Sequence, residues 1–280
     1  MNKKLLDFFW QLAKDNEDVR VEAAVGLLDT LIQSNSEEDW DYTFNRLIRG
    51  LPSPNGSSRI GFSMALTELL NVRAENITIS KYIETLKEHT NASGNLKGHE
   101  ERAQNFGRLF GIQSLTNSQL IQQKSTTLED FENVVILILE LAKSKAWLRE
   151  SCFFSLCLLI EKLPETSFDT DKAIEFILKS VDDFKFTTTS EGVALYLLVP
   201  QEKRQALPEL PNGWKQNDPL AKGNLPLLTK ALKEIDTSQN NSIDEISDES
   251  AKNKDTKDAK DNKKENNKKQ KGNWKARLHF

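Results

Sequence analysis

The chain has 280 residues, 38% of them hydrophobic and 29% charged, with a formal net charge of −4 at pH 7. That length holds one large domain or two ordinary ones, and a hydrophobic fraction below the globular average means that part of the sequence does not pack. Residues 1–235 carry a net charge of about −6 and the remainder about +2, which excludes a broadly basic nucleic-acid clamp.

The first stretch, MNKKLLDFFWQLAKD, has a basic flank and apolar residues, but Asp7 and Gln11 interrupt the run and no small-residue cleavage site follows. It reads as an amphipathic helix over Leu5–Ala13 rather than a secretory leader. Ala24, Leu27, Leu28 and Leu31 form the next helical stripe, downstream of Asp18 and Arg20. Ser36 followed three residues later by Asp39 is a cap pattern and opens a helix that ends at Gly50. Phe62, Ala65, Leu66 and Leu69 give the fourth stripe, and Ser80–His89 the fifth helix. Gly107 and Gly111 stand four apart in GRLFG, a spacing that suits close packing between helices. Thr127 with Asp130 repeats the cap pattern before Leu128–Ser144, where Val134–Leu139 is apolar all round, as a helix enclosed by neighbours must be. Phe153, Leu156, Cys157 and Ile160 follow at once. Beyond Leu163 the pattern loosens into one more pair, Thr170–Phe184 and Ser190–Val199, and a later helix at Asn224–Ile235; Pro164, Pro200 and Pro208 mark stops. No comparable period of two occurs, so the class is all-α. From Asp236 to Lys271 there is no aromatic and almost nothing aliphatic, so burial cannot offset the entropy of ordering, and 236–272 reads as a disordered charged insertion. Residues 273–280 read as the start of a further helix.

The arginines add a second period. Arg20, Arg59, Arg108 and Arg149 each open an apolar helix, at steps of 39, 49 and 41 residues. HEAT and armadillo units recur at ~40–47 residues, each a helix pair that buries its stripe against the next pair. The expected architecture for 1–235 is therefore a HEAT/armadillo-like α-solenoid of about five pairs, with an irregular helical bundle as the alternative.

Chemistry is sparse. Cys152 and Cys157 share one apolar helix without neighbouring His or Cys, which fits neither a zinc site nor a disulfide framework. His89, His99 and His279 are scattered, and no metal site is expected. Asp169-Thr170-Asp171 has the Asp-Thr-Asp kernel of a polymerase metal site, but an amphipathic helix follows immediately, so Asp169 or Thr170 reads as its cap. Phosphate-binding loops, dinucleotide fingerprints and nucleophile elbows do not occur, so neither a catalytic residue nor a cofactor is expected. Arg46, Arg49 and Arg59 flank the polar loop Pro52–Ser58 and form a candidate anion-binding patch with the free N–H groups of the helix that follows. Pairing with acids of the adjacent repeat, such as Asp39, Asp41 or Glu68, is the alternative. Lys263, Lys264, Lys268, Lys269 and Lys271, in KKENNKKQK, are a candidate nuclear import signal.

The stretch NRLIRGLPSPNGSSRIGFSMALTELL, residues 45–70, resembles the hallmark of the nucleolar family that includes Myb-binding protein 1A and DNA polymerase V, or phi. FGRLFGIQSL at 106–115, the W-L-R-E-S-C of Trp147–Cys152, and the W-x-x-x-D-P-L with N-L behind it at Trp214–Leu225 match in the same order. The resemblance implies a nuclear, mainly nucleolar scaffold that supports ribosomal RNA synthesis and ribosome assembly, without catalysis. Its implied partners are pre-ribosomal or rDNA-associated proteins, with rRNA or rDNA as further candidates, and neither a membrane nor a small-molecule substrate. Family members are much longer, so the chain is expected to be the N-terminal part of one. Two other classes stay open: a family-B-like DNA polymerase, as the family's name suggests, and a generic HEAT adaptor.

Overall fold

The computed structural model describes residues 3–233 except 35, 93 and 212. The chain divides into a unit Met1–Thr237 and a second, Ser238–Phe280. The expected charged insertion and the helix start at 273–280 lie outside the described residues.

Among the described residues there is helix and no strand. In chain order the α-helices are α1 Lys3–Leu12, α2 Glu17–Ser34, α3 Glu37–Gly50, α4 Gly56–Val72, α5 Ile79–His89 and α6 Gly98–Asn117. They continue with α7 Leu128–Ser144, α8 Arg149–Lys162, α9 Thr170–Asp183, α10 Ser190–Leu198 and α11 Gln201–Ala206, and a last helical stretch covers residues 225–233. The even-numbered helices α2, α4, α6, α8 and α10 contact one another in succession, and α3, α5, α7 and α9 do the same. Odd and even members touch as α1 with α2, α3 with α4, α5 with α6 and α7 with α8. α10 rests on α8 and α9 on α7, so the last pair is held through its predecessor.

The caps follow the sequence pattern. Ser36 accepts from the Asp39 amide at 3.3 Å, and Thr127 with Asp130 forms a reciprocal capping box. Asp169 caps α9 by accepting from the amides of Asp171 and Lys172. At the other end of α9, Phe186 N donates to Val181 O and Lys185 N to Asp182 O, a Schellman closure that places Lys185 at φ 68°. α7 buries Phe131, Val134, Val135, Leu137, Ile138, Leu139, Leu141 and Ala142, which leaves it enclosed by α5, α6, α8 and α9. Each such aliphatic side chain contributes about 1.5–3 kcal/mol when fully buried.

The spaced arginines hold the turns. Arg20 is 8% exposed, and its Nη1 donates to the carbonyls of Lys14 and Asp15 at 3.0 and 2.8 Å, just past the end of α1. Arg59 Nη1 donates to Ser53 O at 2.7 Å, just past α3. Arg108 Nη2 donates to Thr90 O at 2.7 Å, just past α5. In each pair a cation at the second helix satisfies carbonyls at the C-terminal end of the first, where the helix dipole is negative. Arg149 departs from this pattern. It is the first residue of α8, and its guanidinium lies 5.2 Å from the centroid of the Phe186 ring. Arg108, in contrast, sits deep inside α6, because that helix begins at Gly98, earlier than the apolar run suggested.

Two further features escape the sequence pattern: α11 in the Pro-rich stretch, and the depth of helix approach. Gly107 lies against Pro52 and Gly111 against Leu86, where an added Cβ would stand 2.8 and 2.3 Å from its neighbour. The small-residue spacing is thus a packing device, and Tyr82 Oη uses the access it gives to donate to Gly111 O at 2.7 Å.

Candidate nucleic-acid interface

The stretch 42–70 spans α3, the polar loop and α4, and its residues pack against the helix pairs on either side, α1–α2 and α5–α6. Gly61 lets α4 approach the end of α1, since a Cβ there would stand 2.0 Å from Leu12 O. Gly50 lies under the Phe62 ring, and Phe9 of α1 is stacked on Phe62 with centroids 6.4 Å apart. Phe9 also meets Tyr42 edge-on at 6.1 Å. Asn55 caps α4 and occupies the Ser57 amide at 2.8 Å.

The three candidate arginines do not form one cluster. Arg46 and Arg49 are exposed, one turn apart near the end of α3, and with Asp41, Tyr42 and Asn45 they line a shallow hollow of about 350 Å³. Arg46 leans over the Phe9 ring at 5.9 Å, so packing sets the direction of its stem. Arg49 lies in the last turn, where a cation also complements the helix dipole. Arg59 is half-buried and directed elsewhere: besides its bond to Ser53 O, its guanidinium lies 4.6 Å from the Phe106 centroid and 5.8 Å from that of Phe110. Burial first, and then the charge of Arg102, holds its pKa below the usual guanidinium value.

Among the described residues none of the three pairs with a carboxylate. The alternative of partners at Asp39, Asp41 or Glu68 is therefore corrected: none of the three forms such a pair, Asp41 pairs with Lys81 at 3.1 Å, and Glu68 accepts from Asn71. Lys81 partly neutralises the one acid of the hollow, which leaves two guanidiniums facing solvent. Two forks one helical turn apart can take oxygens of the same or adjacent phosphates.

A second convergence was not legible in the sequence. Arg59, Phe106 and Trp147 come from three different stretches of the resemblance, yet Phe106 and Trp147 have centroids 4.9 Å apart beneath Arg59 and Arg102. The only signal was that Phe106 and Trp147 each open their stretch, while Arg59 opens the apolar run inside its own. These contacts join α4, α6 and the turn before α8.

The remaining candidates resolve simply. Asp169 is committed to capping, and Asp171 pairs with Lys203 at 2.7 Å. Among the described residues no three His, Cys, Asp or Glu side chains converge as metal ligands. Cys152 and Cys157 are free thiols, and burial raises the pKa of both, that of Cys152 to about 12. Lys263, Lys264, Lys268, Lys269 and Lys271 lie outside the described residues. No described helix is long and apolar enough to cross a membrane.

Comparison with known proteins adds ancestry to this geometry. Over 240 residues the chain is 38% identical to rDNA transcriptional regulator pol5 of Schizosaccharomyces pombe, covering 85% of this chain and 24% of that protein. It is 36% identical over 304 residues to rDNA transcriptional regulator POL5 of Saccharomyces cerevisiae, covering 98% of this chain and 28% of that one. A Myb-binding protein 1A-like protein of Danio rerio is 27% identical over 236 residues, 83% of this chain and 18% of that protein. The chain thus spans about a quarter of the length of the two yeast relatives. No solved structure matches it. Residues 42–280 match the DNA polymerase phi family, and by that match and its yeast relatives the chain belongs to this family.

Proposed function

We propose that this chain is a HEAT/armadillo-like α-solenoid that serves as a non-catalytic scaffold in rDNA transcription and ribosome biogenesis, working in the nucleus and its nucleolus. The observation that carries the reading is the 38% identity, over most of the chain, to a protein named as a regulator of rDNA transcription. Two successions of helices in contact, with turns held by Arg20, Arg59 and Arg108, support the solenoid, because each pair buries its stripe against the next. The partners are rDNA-associated or pre-ribosomal proteins, with Arg46 and Arg49 contacting phosphates of rDNA or rRNA. Arg59 has a positioning role in this scheme: it fixes the loop that follows α3. The lysines at 263, 264, 268, 269 and 271 serve as the import signal.

The polymerase implied by the family's name finds no support at Asp169 and Asp171, since one carboxylate caps a helix and the other holds Lys203. Chromatin immunoprecipitation of the tagged full-length protein tests the proposal. Enrichment on rDNA repeats with nucleolar fluorescence is expected, and steady cytoplasmic signal without rDNA enrichment would overturn it. Crosslinking to nucleic acid in Arg46→Glu/Arg49→Glu tests the contact residues; yield equal to the unmodified protein removes them.

A further inference from the structure

Between α9 and the segment 207–217 lies a hollow of about 280 Å³. Its walls are apolar, from Leu178 on α9 and from Leu207, Pro208, Leu210 and Pro211 opposite. Its buried polar lining consists of two residues, Asp182 and Asn217. Asp182 is 3% exposed, and its carboxylate accepts from Thr187 Oγ1 at 3.1 Å. Among the described residues no cation stands within ion-pair distance of it; the nearby buried Arg204 pairs with Asp218 instead. Asn217 is 2% exposed, and its Nδ2 donates to the carbonyls of Arg204, Leu207 and Pro208 at 3.0, 3.0 and 3.2 Å. Those three acceptors fix the orientation of the amide, so Asn217 Oδ1 is a buried acceptor without a donor. At the rim stand Glu175 and Asp183, with Lys179 as the one cation of the lining.

A buried carboxylate without a counter-charge and a buried carbonyl without a donor are both costly, and both line the same hollow, where a cationic donor lowers the cost of each group it reaches. Apolar walls favour a cation carried on an aliphatic stem over a bare metal ion, which needs several hard ligands. The acidic rim repels phosphate and attracts basic chain. We infer that this hollow is a docking pocket for a lysine or arginine side chain of a basic protein segment, its stem against Leu178, Leu207 and Leu210 and its head group on Asp182 and Asn217. It is separate from the exposed arginines of α3 and does not depend on the nucleic-acid reading.

Fluorescence anisotropy on the intact chain tests this, with a fluorescein-labelled Ala-Leu-Arg-Leu-Ala peptide as probe and its citrulline analogue as the neutral isostere. Saturable binding of the arginine peptide is expected, with the citrulline peptide at least about tenfold weaker. Glu175→Gln/Asp183→Asn alters only exposed groups and is expected to weaken binding about threefold, more at low salt. Asp182→Asn should abolish the preference for arginine over citrulline. If that variant melts early, peptide-induced amide protection in the unmodified protein decides instead, and it must map to 175–183 and 207–217. Equal binding of the two peptides, absent binding, or protection confined to other segments overturns the inference.

Discussion

Gly61→Ala is the sharpest perturbation of the joint between the first two helix pairs. The added Cβ would stand 2.0 Å from Leu12 O and 2.9 Å from its carbonyl carbon, against the 3.4 Å or more of an ordinary contact. Because the obstacle is backbone, α4 must draw back from the end of α1 by more than an ångström, which loosens the Arg20 bonds to Lys14 and Asp15 and the Phe9–Phe62 stack. Overpacking of this kind costs about 1–3 kcal/mol, occasionally more, while alanine's helix propensity returns about 1 kcal/mol. With the contact this short the cost lies at the upper end, and we expect a net loss of about 2 kcal/mol, or about 4–8 °C in Tm for a domain of this size. Gly56→Ala is the matched control: its Cβ meets nothing nearer than Arg59 Nη2 at 3.7 Å, so the same chemical change at the first residue of α4 should be neutral or stabilising. Urea titration followed by circular dichroism at 222 nm reads both. A Gly61→Ala midpoint equal to or above that of the unmodified chain would refute the close approach of α4 to α1.

Three further outcomes follow from the geometry. Lys185→Gly relieves a lysine held at φ 68° in the Schellman closure of α9 and should raise stability by about 0.5–1 kcal/mol in the same titration. Thr127→Ala removes half of a capping box and should cost about 1 kcal/mol, whereas Thr127→Ser should be neutral, because serine caps at least as well and Thr127 is exposed. Burial raises the Cys152 pKa to about 12 and that of Cys157 in the same direction, so the folded chain keeps protons that the unfolded chain releases. Their contribution to stability is therefore fully present below the ordinary thiol pKa and is lost as pH rises through the folded values. Titration with a disulfide reagent at pH 8 should label Cys152 only at the rate of unfolding, and labelling as fast as in urea would contradict its burial.

Caps and stripes made much of this chain legible from its residues alone. Ser36 with Asp39, Thr127 with Asp130 and the acid before Thr170 are local hydrogen-bond chemistry, and they mark helix starts in the structure to within a residue or two. The all-round apolar run Val134–Leu139 foretold the enclosure of α7, since a run too short to span a bilayer must be buried among other helices. Local pattern misled where a helix begins on a polar stretch, as α6 does ten residues before Arg108, and where a short helix follows a proline, as α11 follows Pro200. The candidate site divided along the same line. Spacing three apart put Arg46 and Arg49 on one face of α3, as helical geometry requires. Whether Arg59 joined them depended on the rotation of α4 against α6, and Phe106 draws it away. Likewise Asp182, without a counter-charge, and Asn217, with its carbonyl lacking a donor, line one hollow only because α9 meets a loop downstream. Residues close in sequence determine helix, cap and stripe through bonds within a turn or two, so the sequence alone was enough for them. The depth of contact at Gly61, the turning of Arg59 and the acceptor-lined hollow are products of helices packing across the chain, and only the tertiary structure decided them.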